Sequence, residues 1–244
     1  MHSSLEWREY YEQNAKSLLT IPWDIGADLT DAERREIAAS VQGFQAGESS
    51  EGRHLFRYAE AYAKTTGDHD YLAAIRLFIA EEQRHARDLA RFLHLNDIPT
   101  ITTTFPDRVF RKLRHMVGGL EISIAVLITA EIIAQVYYSA LRQATDSAVL
   151  RALCDQILRD ERKHVEFQAE QLGKLRCRRR ALFRWITMGM QRFLYWGTCL
   201  VVWHFHKRAF RKGQFSFRRF RSSCWTEFNE AFAISRRTMD SKRG

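Results

Sequence analysis

Residues 74–93 read AIRLFIAEEQRHARDLARFL. Ile75, Phe78, Ile79 and Leu89 recur at the three- and four-residue spacing of one helical face, which predicts a helix with a buried side. Glu81, Glu82 and His85 fall among them, where a buried helix has little use for charge. Residues 153–168, LCDQILRDERKHVEFQ, repeat the pattern with Asp160, Glu161 and His164. Glu82 and Glu161 each precede a histidine by three residues. On a helix that spacing sets both side chains on one face, one turn apart. Acids on such a face need a partner, because an uncompensated buried charge is very costly.

Outward from these two segments the chain keeps a helical character. Only three of its 244 residues are proline, and Ala, Leu, Arg, Glu and Gln are abundant, which favours an all-α fold. Thr30-Asp31-Ala32-Glu33 has the form of a capping box, with Thr30 as N-cap and Glu33 reaching back. One long helix is expected from there to about Lys64, carrying Gly43, Gly47 and Gly52 in its interior. Each interior glycine costs roughly 1 kcal/mol against alanine, so close packing or a local bulge is the expected reason for them. Thr66-Gly67-Asp68 ends it, and a second helix runs to about Leu95. The Pro- and Thr-rich stretch NDIPTITTTFPD is a crossover, leading to a short basic helix near Arg108 to Met116. LEISIAVLITAEIIAQVYYSALRQ, residues 120–143, is almost wholly apolar and must be buried on most sides. Thr145-Asp146-Ser147 caps a further helix that reaches about Leu175. A long connection after the second helix and short loops elsewhere describe a four-helix bundle with one crossover.

The chain thus divides into an N-terminal extension (1–30), the bundle (31–175) and a C-terminal helical extension (176–244). Its two bundle halves superimpose in sequence. An offset of 80 pairs Glu51 with Glu131 and Tyr58 with Tyr138; an offset of 79 pairs Glu82 with Glu161 and His85 with His164. Each half reads as a glutamate, about thirty residues, then Glu-x-x-His, an internal repeat of functional residue types. Four carboxylates and two neutral imidazoles carry four negative charges, which two divalent cations would neutralise. Without metal, four glutamates converging in a core would repel one another and resist desolvation. Carboxylate oxygens with imidazole nitrogens suit iron or manganese. Cys154, Cys177, Cys199 and Cys224 are widely spaced with no C-x-x-C, which argues against a thiolate zinc site or a disulfide framework.

The bundle resembles the ferritin-like di-iron carboxylate superfamily, which holds rubrerythrin-type and di-iron oxygenase-type proteins. The resemblance rests on SSEGRH, AEEQRH, TAEIIA and RDERKH in that order and at those distances. It implies that Glu51, Glu82, His85, Glu131, Glu161 and His164 ligate two iron ions, or one manganese and one iron. Glu82, with Glu131 or Glu161, would be bridging. It further implies an oxidoreductase that activates O2 or peroxide, with Tyr58 and Tyr138 as neighbours of the ligands. The rubredoxin-like cysteine module of rubrerythrins is missing, so the electron donor is expected to be a separate molecule. A ferroxidase or iron-handling protein without organic substrate, and a non-catalytic membrane-associated bundle stabilised by its metals, are the alternatives.

Other polar residues have plainer readings. Glu81 and Asp160 point about 100° from the motif glutamates and read as solvated acids or supports of the ligands. Glu48 lies one turn before Glu51 on the same face, as an extra ligand or an ion-pair partner. His54 completes an accidental Glu-x-x-His with Glu51, while His69, His94 and His115 read as surface residues. The tyrosines also fit core packing with a satisfied hydroxyl, and Cys154 a small buried apolar residue.

The net charge of +9 concentrates beyond Arg176. There RWITMGMQRFLYWGTCLVVWHFHKRAFRK, residues 184–212, interleaves tryptophans with arginines. Its uncharged run after Arg192 is shorter than the roughly 20 apolar residues a membrane span requires. A helix lying on a membrane surface and a fifth helix closing one side of the bundle both fit it. Nucleic acid is not the expected partner, since no recognition motif accompanies the RRFR cluster. The polar start MHSSLEWREYYEQNAK argues against a secretory signal. A cytoplasmic protein, peripheral to the inner face of the membrane if the tail binds lipid, is the expectation.

Overall fold

A computed structural model describes residues 1–49, 52–102 and 119–241. Glu51, His115 and the basic helix expected near Arg108 to Met116 lie outside them. The described residues hold α-helices and one short 3-10 turn and contain no strand: α1 (Ser4–Asn14), α2 (Asp31–Glu48), α3 (Arg53–Thr66), α4 (His69–Leu95), α5 (Leu120–Ala144), α6 (Ala148–Cys177), α7 (Ala181–Lys212) and α8 (Phe217–Ser241).

The capping signals act as their chemistry requires. Thr30 and Glu33 exchange the two hydrogen bonds of a capping box at the start of α2. Glu33 does more: its other oxygen accepts from Thr145 Oγ1 at 3.0 Å and from the Asp146 N–H at 2.6 Å. The start of α2 is thereby tied to the α5–α6 loop. Asp68 caps α4 and Ser147 caps α6 through their side-chain oxygens.

The single helix expected over residues 31–64 is two, α2 and α3. α2 ends at Glu48, and α3 starts from Gly52 as its N-cap, whose φ of +63° lies in the left-handed region that favours glycine. A Cβ there would stand 2.8 Å from Ile79 side-chain atoms. Close packing is therefore a reason for one of the three glycines, at the left-handed turn from which α3 starts.

α2 and α3 in succession, α4, α5 and α6 form the bundle. α5 is long and apolar enough to cross a membrane by composition, yet most of it is buried as the central core helix. Ile124, Ile128, Tyr137, Tyr138 and Leu141 of α5 meet Leu150, Leu153 and Phe167 of α6 and Phe78 and Leu89 of α4 in one continuous core. Both extensions pack onto this core. α1 lies along α4 with Trp7 and Tyr11 buried. α7 covers α5 and α2, and α8 covers α6. Gly173 lets α8 approach α6 closely, since a Cβ there would meet the Ser235 carbonyl oxygen at 2.5 Å.

Candidate metal centre

Each bundle helix places its acid by register. On α4 the core positions Ile75 and Phe78 lead to Glu82 and His85 one turn further on. On α6 Leu153 and Ile157 lead in the same way to Glu161 and His164. Glu131 sits between Ile128 and Ile132 on α5. Glu48 ends α2, following Ile37, Val41 and Gln45 down its buried face.

These side chains meet in two overlapping groups, in each of which the ligand atoms lie within 4.8 Å of one another. The first is Glu48, Glu82, His85 and Glu161; the second is Glu82, Glu131, Glu161 and His164. Glu82 and Glu161 belong to both. Each group so adds one glutamate and one histidine of its own to a shared pair of carboxylates. His164 Nδ1 stands 3.0 Å from Glu82 Oε1, a contact without hydrogen-bond alignment. His85 Nδ1 stands 3.8 Å from Glu82 and 3.7 Å from Glu161. Glu131, Glu161 and both histidines are buried, while the Glu82 side chain keeps 14% exposure.

The outer ring nitrogens are held crosswise. His85 Nε2 is 3.0 Å from Asp160 Oδ2 on α6, and His164 Nε2 is 3.0 Å from Glu81 Oε2 on α4. The acid preceding each motif glutamate thus supports the histidine of the opposite helix. Asn14, at the end of α1, donates to both acids, at 2.6 Å to Glu81 and 2.9 Å to Asp160. Arg84 and Gln156 donate to Asp160 as well. With Nε2–H given to a carboxylate, each imidazole turns its Nδ1 lone pair inward. Tyr138, fully buried, donates its hydroxyl to Glu48 at 2.8 Å.

The inward atoms have nothing to bond. Glu82 Oε1, both oxygens of Glu161 and the Nδ1 atoms of His85 and His164 are buried without a directed hydrogen bond. Orphaned groups of this kind are rare in a folded core and call for a partner. Burial pushes the Glu48 and Glu161 carboxyls well above the usual range, and Glu131 upward too, with the charges of neighbouring glutamates adding to it. For Glu82 burial acts the same way but is outweighed by His164 and His85, so its carboxyl is lowered. Burial would depress His164; the adjoining carboxylates of Glu161, Glu81 and Glu82 raise it well above its ordinary value instead. Without metal, protons must do the work of counter-ions. Two divalent cations would supply the four charges and the ligand acceptors together, so the donor set fits such a pair.

The same architecture occurs among solved structures. An R2-like ligand-binding oxidase with aerobically reconstituted Mn/Fe cofactor matches with a TM-score of 0.71 at 16% identity, over 96% of this chain and 92% of its own. Two single-residue variants of such an oxidase, with the same cofactor, match at TM-scores of 0.70 and 0.71 with 18% and 17% identity. They cover 96% of this chain and 94% and 97% of theirs. The fold is ferritin-like. No protein-family model and no curated protein sequence matches the chain, so the likeness resides in the fold.

Within this ferritin-like bundle five of the six expected ligands, Glu82, His85, Glu131, Glu161 and His164, come together. Glu51 lies outside the described residues. Among those described, the carboxylate that α2 brings to Glu82 and His85 is Glu48. Sequence offers Glu48 as an extra ligand or an ion-pair partner beside Glu51, and it also continues the stripe of Ile37, Val41 and Gln45. Tyr58 is half-buried against the core on α3, whereas its expected counterpart Tyr138 bonds Glu48. His54 pairs with Arg57 at 2.9 Å. His69 and His94 are exposed, and Cys154 is buried. Asn14 has only a weak signal in sequence: it shares a helical face with Trp7 and Tyr11.

Proposed function

We propose that this chain is a di-metal carboxylate oxidoreductase, holding two iron ions or a manganese–iron pair and reacting with O2 or peroxide. One observation carries the reading: two overlapping groups of ligand atoms that share Glu82 and Glu161, in which Glu82 Oε1, both Glu161 oxygens and both histidine Nδ1 atoms are buried without hydrogen-bond partners. Glu48 and His85 would complete one metal position, Glu131 and His164 the other, with Glu82 and Glu161 common to both. The oxidase function and Mn/Fe cofactor of the structural neighbours support an oxidising role over simple iron storage.

The bound pair would supply redox equivalents and Lewis acidity. The protein's own part is positional. Asp160 and Glu81 hold the two imidazoles in one tautomer, Asn14 holds both acids, and Tyr138 orients Glu48. Phe78, edge-on to the His164 ring at 4.7 Å, and Ile128 and Ile132 beside Glu131 keep water from that side. Partial exposure of Glu48 and Glu82 leaves the side beside the α2–α3 break as the approach.

The test is metal content by elemental analysis of the protein and of Glu82→Ala, Glu161→Ala and the exposed control Glu36→Ala. It is followed by anaerobic reduction and reaction with O2 or peroxide, read by optical spectrum. Loss of metal in the first two variants alone, with an oxidant-dependent spectrum in the parent, is expected. Equal metal in all four proteins would refute the ligand assignment. Metal without any response to oxidant would refute the oxidoreductase.

A further inference from the structure

The outer face of α7 has no counterpart in the metal centre and no cover within the described residues. Leu182, Ile186, Met190, Phe193, Trp196 and Leu200 follow one another at intervals of three and four along a single side of the helix. All six are exposed, Phe193 by 83%. The stripe runs about 28 Å at 1.5 Å per residue. A soluble surface carries scattered apolar residues, but a contiguous stripe of this length marks an interaction site. Trp225 of α8 stacks on Trp196 at 5.5 Å and widens it at one edge.

Charge identifies the partner. Continued down the same side, the helix presents Lys207, Arg208 and Arg211, all exposed, and Arg180 stands exposed just before its start. α7 contains no Asp or Glu. A second copy fits poorly. Antiparallel pairing about the apolar centre would bring Lys207 and Arg211 towards Arg180 of the other copy, and parallel pairing would stack the basic ends on themselves. Neither offers an acid to offset them, and like charges across an interface oppose association. An anionic lipid surface satisfies both parts: acyl chains and headgroup boundary receive the aromatic stripe, and lipid phosphates receive the cations.

We propose that α7 docks flat on an anionic membrane surface, its apolar stripe in the headgroup boundary and its basic turn on lipid phosphates. The proposal is independent of the metal reading. It agrees with four free cysteines, because the cytoplasmic leaflet is both the reducing side and the anionic one. Since α7 packs directly on α5, docking would set Glu131 one helix layer above the lipid.

The experiment is co-sedimentation of the full chain with vesicles of neutral or anionic phospholipid at low and high salt. Alongside it run Phe193→Glu/Leu200→Glu and Lys207→Glu/Arg211→Glu, with size-exclusion chromatography of every protein. Binding to anionic vesicles is expected to fall by about tenfold or more when two apolar side chains are withdrawn. It should also fall with salt, and in the charge-reversed variant. These positions are exposed, so the variants should keep the parent's circular dichroism and metal content. Absence of binding to any vesicle overturns the proposal. So does a dimer that Phe193→Glu/Leu200→Glu dissociates without vesicle binding, which would assign the stripe to a second copy. Vesicle binding unchanged by both variants but lost on neutralising Arg108, Arg111, Lys112 and Arg114 would place the contact elsewhere and overturn it too.

Discussion

Glu33→Gln isolates how α2 is fastened to the bundle, and the structure sets the size of the effect. The Glu33 carboxylate is 5% exposed and accepts four hydrogen bonds: from the Thr30 N–H and hydroxyl, the Thr145 hydroxyl and the Asp146 N–H. Burial by itself would raise its pKa, but these donors outweigh burial and bring it down to about 2 from 4.5. A shift of this size corresponds to about 3 kcal/mol of folding stability at neutral pH. Because the folded-state pKa is depressed, that stability is present above the unfolded value of 4.5 and is lost as pH falls towards 2. By pH 3 about 2 kcal/mol of it should be gone. Urea denaturation of parent and variant from pH 7 to pH 3, in chelator so that metal does not contribute, measures the difference. Titrations elsewhere in the chain cancel between the two proteins, since distant sites are close to additive. The parent should lead by about 3 kcal/mol at pH 7 and by about 1 kcal/mol at pH 3. A gap that stays constant over that range would refute the reasoning.

Three further outcomes are expected. Asn14→Ala removes two hydrogen bonds to buried carboxylates, for a loss of about 3 kcal/mol and a melting temperature lower by roughly 6–12 °C; a shift below about 2 °C in calorimetry would show that Asn14 does not brace Glu81 and Asp160. Gly52→Ala should cost about 1–3 kcal/mol in urea, from a left-handed φ and from collision with Ile79; Ile79→Ala in the same chain should relieve the collision alone, and full recovery would contradict the backbone argument. Chelation of the metal-loaded protein should lower stability by about 4 kcal/mol for ions held a thousandfold above their dissociation constant, and coincident melting curves with and without chelator would contradict binding to the folded state.

The helical residues and most of the candidate ligands are legible in sequence because helical periodicity is local information. Ile75 and Phe78 with Glu82 and His85, or Leu153 and Ile157 with Glu161 and His164, share a face whatever lies opposite. The Glu-x-x-His repeat identifies two helices that must bring their acids to a common counter-charge. Caps are local in the same sense, and Thr30, Asp68 and Ser147 begin helices where their side chains can accept from the first turn.

What lies across from a face is set by packing between elements far apart in the chain. Asn14 meets Asp160 at a separation of 146 residues, and no spacing rule reaches that far. Periodicity puts Glu81 and Asp160 off the motif face, and only the antiparallel approach of α4 and α6 gives each the other helix's histidine. Glu48 enters the cluster from the last position of α2, an end that the periodicity of residues 31–64 does not mark. The tail shows the same division. Sequence puts tryptophans and arginines on one helix with apolar residues on nearly every side, so either side could pack. Tyr195, Cys199 and Phe210 are the side chains that fit the surface of the bundle and its neighbour α8, and their burial leaves Phe193 and Leu200 outside. Composition determines that such a helix must bury one face; shape complementarity in the folded protein decides which.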